Sequence, residues 1–284
     1  MCGVVAWVKA TTDGKVDEST LRTMTETLHH RGPDGEGFYI DSSVGLGHKR
    51  LSILDVENGK QPIESDGIVL SYNGEIYNFK QLKIELESLG HVFASQCDSE
   101  VLLFAWKEWG ASAVHKLRGM FAFIIYDKPQ NKIFVARDRL GIKPLQWAKT
   151  TQGQLLFASE LHTITAHPDI EKQLNPSAIE DFFSLGYVAD PKTIFKDIFK
   201  LPPAHVITID LSTRDSEVAP ECYWNIEDFV SDDITCEKDI NEDFSRLTEE
   251  AISLRMIADV PLGSFLSGGI DSSVISAVMQ KHSK

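Results

Sequence analysis

The chain of 284 residues carries 28 Lys and Arg against 42 Asp and Glu, a formal net charge of −14. That acidic balance argues against a generic nucleic-acid or anionic-membrane binder. With 42% hydrophobic and 25% charged residues, the composition is that of a folded globular protein, long enough for one large domain or two ordinary ones.

In chain order, the apolar run at residues 1–9 reads as a strand. It is too short for a secretory signal, and no stretch approaches the ~18 apolar residues of a membrane span. A cytoplasmic protein with no membrane partner is therefore expected. DESTLRTMTETLHH reads as a helix with Leu21, Met24 and Leu28 on one face, stopped by RGPDGEG. GFYID, VGLGHKRLSIL and GIVLSYNG follow as strands. NFKQLKIELESLG is a helix with Phe79, Leu82, Leu86 and Leu89 in line, Asn78 as N-cap and Gly90 as stop. DSEVLLFAWKEWG is another, opening at Asp98 or Ser99. MFAFIIYD and KIFVARD form a hairpin across KPQN, and a second hairpin surrounds TTQGQ. These elements predict a sheet-rich α+β body with helices on its faces.

After about residue 160 the texture changes. NPSAIEDFFSLGYV reads as helix and KLPPAHVITID as a loop entering a strand. The acidic stretch EDFVSDDITCEKDINEDF reads as a boundary region. RLTEEAISLRMIA is then a helix, GSFLS a short buried strand and SSVISAVMQKH a helix opening. The expected division is residues 1–215 and 216–284.

Cys2, Cys97, Cys222 and Cys236 form no CxxC pair. Neither a disulfide framework nor a zinc site is expected, and no metal ligand is assigned. In SGGIDSS, a Gly-Gly turn between an apolar run and a helix start offers backbone N–H groups to an anion, with Ser272 and Ser273 in the first turn. The Lys of a Walker A loop is absent. Strand, loop and helix together favour a phosphate cradle over a plain Gly/Ser turn capped by Asp271 or Ser272. Cys2 stands directly behind the initiator Met. Once Met1 is removed, its own α-amine, of pKa about 7.7–8.0, can serve the thiol as a base. An amide substrate such as glutamine would further need a cation for its carboxylate, an anion for its ammonium and donors for the oxyanion. Arg50, Asn73 with Gly74 and Glu75, and Asp98 offer these types. Alone, Arg50 reads as a surface arginine and Asp98 as an N-cap, while for Asn73, Gly74 and Glu75 an NG hairpin turn and a functional role are evenly matched.

Taken together, MCGVVAW, RGPDGEG, GLGHKRLSILD, YNGEIYNF, SQCDSEVLLFAW, ARDRLGIKPL and VPLGSFLSGGIDSS resemble the glutamine-hydrolysing asparagine synthetase family. The resemblance runs along essentially the whole chain. It implies an N-terminal nucleophile αββα sandwich, a class II glutamine amidotransferase, followed by the first strand, loop and helix of an ATP pyrophosphatase-type domain. It implies Cys2 as nucleophile and Asn73 and Gly74 as the oxyanion hole. Glutamine would be held by Arg50, the backbone from Leu51 through Ser52 and Ile53 to Leu54, and Glu75 and Asp98. The loop carrying Arg31 and Asp34 would lie nearby as structural support. Leu266, Ser267, Gly268, Gly269, Asp271, Ser272 and Ser273 would face ATP and its Mg2+. L-Glutamine, ATP and L-aspartate are the implied small-molecule partners, with no nucleic acid; a homodimer is compatible with the family.

The chain ends eleven residues past Ser273. The expectation is that this polypeptide alone hydrolyses glutamine without making asparagine, its tail loosely held or packed on the body. Amidation of another carboxylate, or a catalytically silent remnant, are the alternatives.

Overall fold

The first strand is apolar along its whole length because it is buried on both faces. A computed structural model describes residues 1–9, 15–213, 218–230 and 237–283. The expected boundary at residue 215 lies outside the described residues, as does part of the acidic stretch.

Among the described residues the strands are β1 (Gly3–Val8), β2 (Gly35–Ile40), β3 (Val44–Arg50), β4 (Ile63–Ser65), β5 (Ile68–Ile76), β6 (Gly119–Asp127), β7 (Lys132–Arg137), β8 (Gln146–Lys149), β9 (Leu155–Ala158), β10 (Ile198–Lys200), β11 (His205–Asp210) and β12 (Glu221–Cys222). The helices are α1 (Glu18–Glu26), α2 (Phe79–Ser88), α3 (Asp98–Trp109), α4 (Ala113–Lys116), α5 (Leu161–Ile164), α6 (Pro176–Leu185), α7 (Glu237–Leu254) and α8 (Ile270–His282). Two six-stranded sheets form, in the orders β10-β8-β9-β1-β3-β2 and β12-β11-β7-β6-β5-β4.

Alternation along the strands sorts side chains into three apolar layers. Val4, Ala6, Val44 and Leu46 of the first sheet meet Val69, Ile124, Val135 and Ile207 of the second. Val5, Leu21, Met24 and Ile164 form a layer under α1 and α5. Leu70, Phe121 and Phe123 pack against Leu82, Leu86 and Leu102 of α2 and α3. The order helix, sheet, sheet, helix is the expected sandwich.

Local details depart from the sequence reading where long-range partners intervene. Asp17 caps α1 through Thr20 N at 2.7 Å. The helix stops at Glu26, yet Leu28, in the following turns, is still fully buried. Asn78 precedes α2 but makes no side-chain capping bond. Its amide donates to Lys116 O at 3.0 Å and accepts from Arg118 N at 2.9 Å, tying two segments together. Leu89 lies half exposed, off the buried stripe of α2. Residues 263–267, expected as a buried strand, run as exposed irregular chain; a buried strand needs a neighbour for its backbone groups, and none pairs here among the described residues.

Of the two expectations for the tail, packing on the body holds as far as Asp259, whereas residues 260–270 lie exposed. Arg118 meets Glu250 at 2.9 Å, Arg255 lies over the Tyr77 ring at 4.7 Å, and Ile257 packs against the α2–α3 core. No helix among the described residues is long and apolar enough to cross a membrane.

Two glycines let α1 lie close to β3. A Cβ on Gly45 would press on Val16 and Leu21, and one on Gly47 would overlap Thr25 Oγ1. Gly47→Ala is expected to destabilise the fold by about 1–3 kcal/mol, the usual cost of overpacking. The midpoint of denaturant unfolding measures it.

Candidate active site

The register of β1 against β3 places Gly3 opposite Lys49 and Val4 opposite His48. Continued by one residue, that ladder sets Cys2 beside Arg50. The Cys2 side chain shares the parity of Val4 and Ala6, so it faces the space between the sheets. Its sulfur accepts from Leu51 N at 3.3 Å and its thiol donates to Leu51 O at 3.5 Å. Burial raises the pKa of the thiol above its ordinary value, because a thiolate loses its hydration there. Desolvation likewise lowers the pKa of the Met1 amine.

One cavity of about 30 Å³ is lined by Cys2, Arg50, Leu51, Ile53, Leu54, Gly74, Glu75 and Asp98, among others. It neighbours a wider cleft of about 580 Å³, and Arg50 and Gln61 line both. The smaller space is of the order of a single water molecule's share of liquid volume, so an amino acid must also occupy the cleft or displace a wall. Of the expected pocket residues, Asn73 lines neither space, and Ser52 lines the cleft and not the Cys2 cavity. Its N–H is bound to Asp34 Oδ2 at 2.8 Å, which turns that residue outward. Ile53 O accepts from Asp259 N at 3.0 Å, so the tail also reaches this loop.

The Arg50 guanidinium donates to three backbone carbonyls, those of Leu54, Asp55 and Val56, at 2.8–3.1 Å. Carbonyls satisfy its donors without neutralising its charge, which leaves it suited to a carboxylate ligand. On the opposite wall two carboxyls share the site. Asp98, 4% exposed, accepts from Tyr72 Oη at 2.6 Å and from Ile76 N at 2.9 Å. Asp98 opens α3, yet it spends its carboxylate on β5 rather than on a cap; Cys97 holds the cap position. Burial raises the pKa of Asp98. Burial and the neighbouring Asp98 charge push Glu75 up to about 8. Two like charges forced together out of water favour a bound cation between them.

Asn73 shares the inner-face parity of Val69 on β5. It is 1% exposed, and its Nδ2 is a buried donor without a partner among the described residues. A buried donor left unpaired costs free energy, and a developing oxyanion would satisfy it. Gly74 follows; a Cβ there would crowd Tyr72 and the Phe121 backbone.

Two neighbours complete the surroundings. Arg31 donates Nε to Cys2 O at 3.0 Å and Nη1 to Glu160 at 2.6 Å. Lys143, 4% exposed, was not singled out from sequence. Burial lowers its pKa, while the charges of Glu75 and Cys2 work in the opposite direction. A lysine inside the otherwise apolar turn IKPL was the signal available.

The second set of expected residues sits apart. Leu266, Ser267, Gly268, Gly269, Asp271, Ser272 and Ser273 are on the exposed loop before α8 and in its first turn, and none lines the Cys2 cavity. Gly268 adopts φ +85°, a left-handed turn that suits glycine. Ser272 and Ser273 bond back to Gly269 O at 3.1 and 2.8 Å. No side chain caps α8, so its first N–H groups are open to an anion.

A carboxyl whose pKa is higher in the folded chain than in the unfolded one favours folding while it is protonated. For Glu75 that contribution is full below the ordinary value of 4.5 and is lost as pH rises toward about 8. Glu75→Gln, which cannot ionise, should match the parent in thermal stability near pH 4 and exceed it at about pH 9. Melting curves at the two pH values check this.

The sequence profile of the glutamine amidotransferase domain matches residues 1–224, and that of asparagine synthase matches residues 243–284. Asparagine synthetase (glutamine-hydrolyzing) 3 of Bacillus subtilis (strain 168) is 38% identical over 99% of this chain and 46% of its own length. Asparagine synthetase (glutamine-hydrolyzing) 1 of the same strain is 37% identical over 93% of this chain and 41% of its own. The chain thus spans under half the length of either relative. Among solved structures, the glutamine phosphoribosylpyrophosphate amidotransferase of B. subtilis, complexed with ADP and GMP, superposes with a TM-score of 0.56 at 20% identity, over 78% of this chain and 49% of that one. That likeness establishes the shared fold. A profile match from the first residue through Trp224, on a sandwich of the same architecture, means that this chain belongs to the glutamine amidotransferase domain family.

Proposed function

We propose that this chain hydrolyses the side-chain amide of L-glutamine at Cys2, and that the ammonia serves an ATP-dependent amidation. The observation that carries the reading is the single cavity shared by Cys2, Arg50, Gly74, Glu75 and Asp98. Nucleophile, cation and paired carboxyls converge there from four separate segments.

Glutamine enters with its carboxylate on Arg50 and its ammonium on Glu75 and Asp98. The backbone around Leu51, Ile53 and Leu54 forms the wall beside it. The buried thiol needs a base, and with Met1 removed the α-amine of Cys2 takes its proton. The sulfur attacks the amide carbon, and the oxyanion receives hydrogen bonds from Asn73 Nδ2 and Gly74 N–H. Collapse of this intermediate breaks the C–N bond, and the proton held by the amine goes to the leaving nitrogen, giving ammonia. Water then attacks the glutamyl thioester, releasing glutamate and restoring the thiol.

For the second step, the uncapped end of α8 and the open turn at Gly268 and Gly269 suit the phosphates of ATP. Leu266 and Ser267 flank that turn, Ser272 and Ser273 stand in the first helical turn, and Asp271 would be the carboxylate available to a Mg2+ ion carried with ATP. The named relatives favour aspartate as the acceptor, with asparagine as the product. Another carboxylate is the second reading, since the matched asparagine synthase region covers only residues 243–284.

Cys2→Ala is expected to lower glutamate release by roughly 10⁴-fold or more, as loss of a nucleophile does. Chains whose intact mass shows Met1 retained should be equally inactive and normally folded by circular dichroism. Equal glutamate release from parent and Cys2→Ala would remove the assignment. Asn73→Ala should reduce kcat by about 10²–10³ with little change in KM, the pattern of a lost oxyanion donor. Steady-state kinetics on glutamine measure both parameters.

A further inference from the structure

On the outer side of Arg31, three side chains converge that the glutaminase reading does not use. His30 Nε2 lies 3.1 Å from Glu160 Oε2, and His162 Nδ1 lies 3.4 Å from the same oxygen. One atom from each of the three residues falls within a set no wider than 4.8 Å. In a tetrahedral site with bonds of about 2.0–2.1 Å, neighbouring ligand atoms stand about 3.3–3.4 Å apart. The two measured separations are close to that spacing.

The hydrogen bonds around the cluster point the same way. His162 Nε2 is 3.1 Å from Thr27 O. A carbonyl only accepts, so Nε2 carries the proton, and in the neutral ring Nδ1 holds a lone pair 3.4 Å from Glu160 Oε2. A lone pair that close to a carboxylate oxygen calls for a cation beside both or for a second proton on the ring. Glu160 Oε1 accepts from Arg31 Nη1 at 2.6 Å and lies 3.2 Å from His30 Nε2, so His30 faces both carboxylate oxygens while His162 stands beside Oε2. An imidazole held at its far nitrogen by a backbone carbonyl, and a carboxylate steadied by a second group, are the usual surroundings of metal ligands. The His30 and His162 side chains are 57% and 51% exposed, so an ion and a water can reach the site.

We propose that His30, Glu160 and His162 bind a divalent cation of the Zn2+ class, with water as the fourth ligand. Two neutral imidazoles and one carboxylate are a donor set that this class accepts. The cysteine pattern excluded a thiolate site and was silent about this one, because residues 30 and 160 meet only in the fold. The ion would fix Glu160, and through it Arg31, whose Nε holds the carbonyl of Cys2. The site is independent of whether Cys2 hydrolyses glutamine.

The test is calorimetric titration of chelator-stripped full chain with Zn2+, in a Cys2→Ala background so that this thiol cannot compete. The parent background should bind one Zn2+ at this site. His30→Gln and His162→Gln should each weaken that binding tenfold or more, at least the loss seen when supporting groups of metal ligands are removed. Zn2+ should also raise the melting temperature of the parent background and not of His162→Gln, while the two melt alike in chelator. Absence of stoichiometric binding, or binding unchanged by both substitutions, would leave only an ion-paired cluster and overturn the proposal.

Discussion

The pairing of β1 with β3 is the constraint on which the site depends. Six residue pairs, Gly3 with Lys49 through Val8 with Val44, lock the N-terminus at a single register. A slip of one residue would turn Val4 and Ala6 out of the layer between the sheets and carry Cys2 to the other face. Burial of β1 on both sides makes that slip costly. The thiol is thus held at a strand end by the same apolar contacts that hold the sandwich together. Leu51, one step past β3, then clasps the sulfur with its own N–H and C=O.

Around this fixed point the charges are arranged with their pairing incomplete. Arg50 is bound by carbonyls, Glu75 and Asp98 repel each other out of water, and Asn73 Nδ2 is buried without a partner. The crowded carboxyls and the unpaired amide are unfavourable in an empty protein, and each would be relieved by one part of an amino-acid amide, whose carboxylate the Arg50 charge also suits. Lys143 moderates the cost from behind, because its charge favours the ionised forms of Glu75 and Cys2. Specificity of this kind comes from groups left unsatisfied until the right ligand supplies what they lack.

Much of this was legible in the residues. The strands and helices of the sandwich follow from apolar period and turn residues, and the pocket residues from motifs whose order matched a family. What stayed hidden has a common cause, a partner far away in sequence. Asn78 looked like an N-cap until residues 116–118 engaged its amide. Asp98 looked like a cap until Tyr72 and the Ile76 N–H took its carboxylate. Ser52 looked like part of the Cys2 pocket until Asp34 claimed its N–H and turned it to the cleft. Residues 263–267 are apolar enough for a strand, but apolarity does not supply the neighbouring strand. The cluster at Glu160 could not be found by spacing, since residues 30 and 160 meet only in the fold, and Lys143 carried no more than the local signal of a lysine in an apolar turn.

The proposed hydrolysis passes through a covalent bond between the sulfur of Cys2 and the glutamyl group. Acid quenching of the chain during turnover of glutamine, followed by mass analysis of the N-terminal peptide, tests it directly. A glutamyl thioester on Cys2, in a peptide whose first residue is that cysteine, is the expected result. Steady release of glutamate with no adduct on Cys2, or with the adduct on another residue, would contradict it.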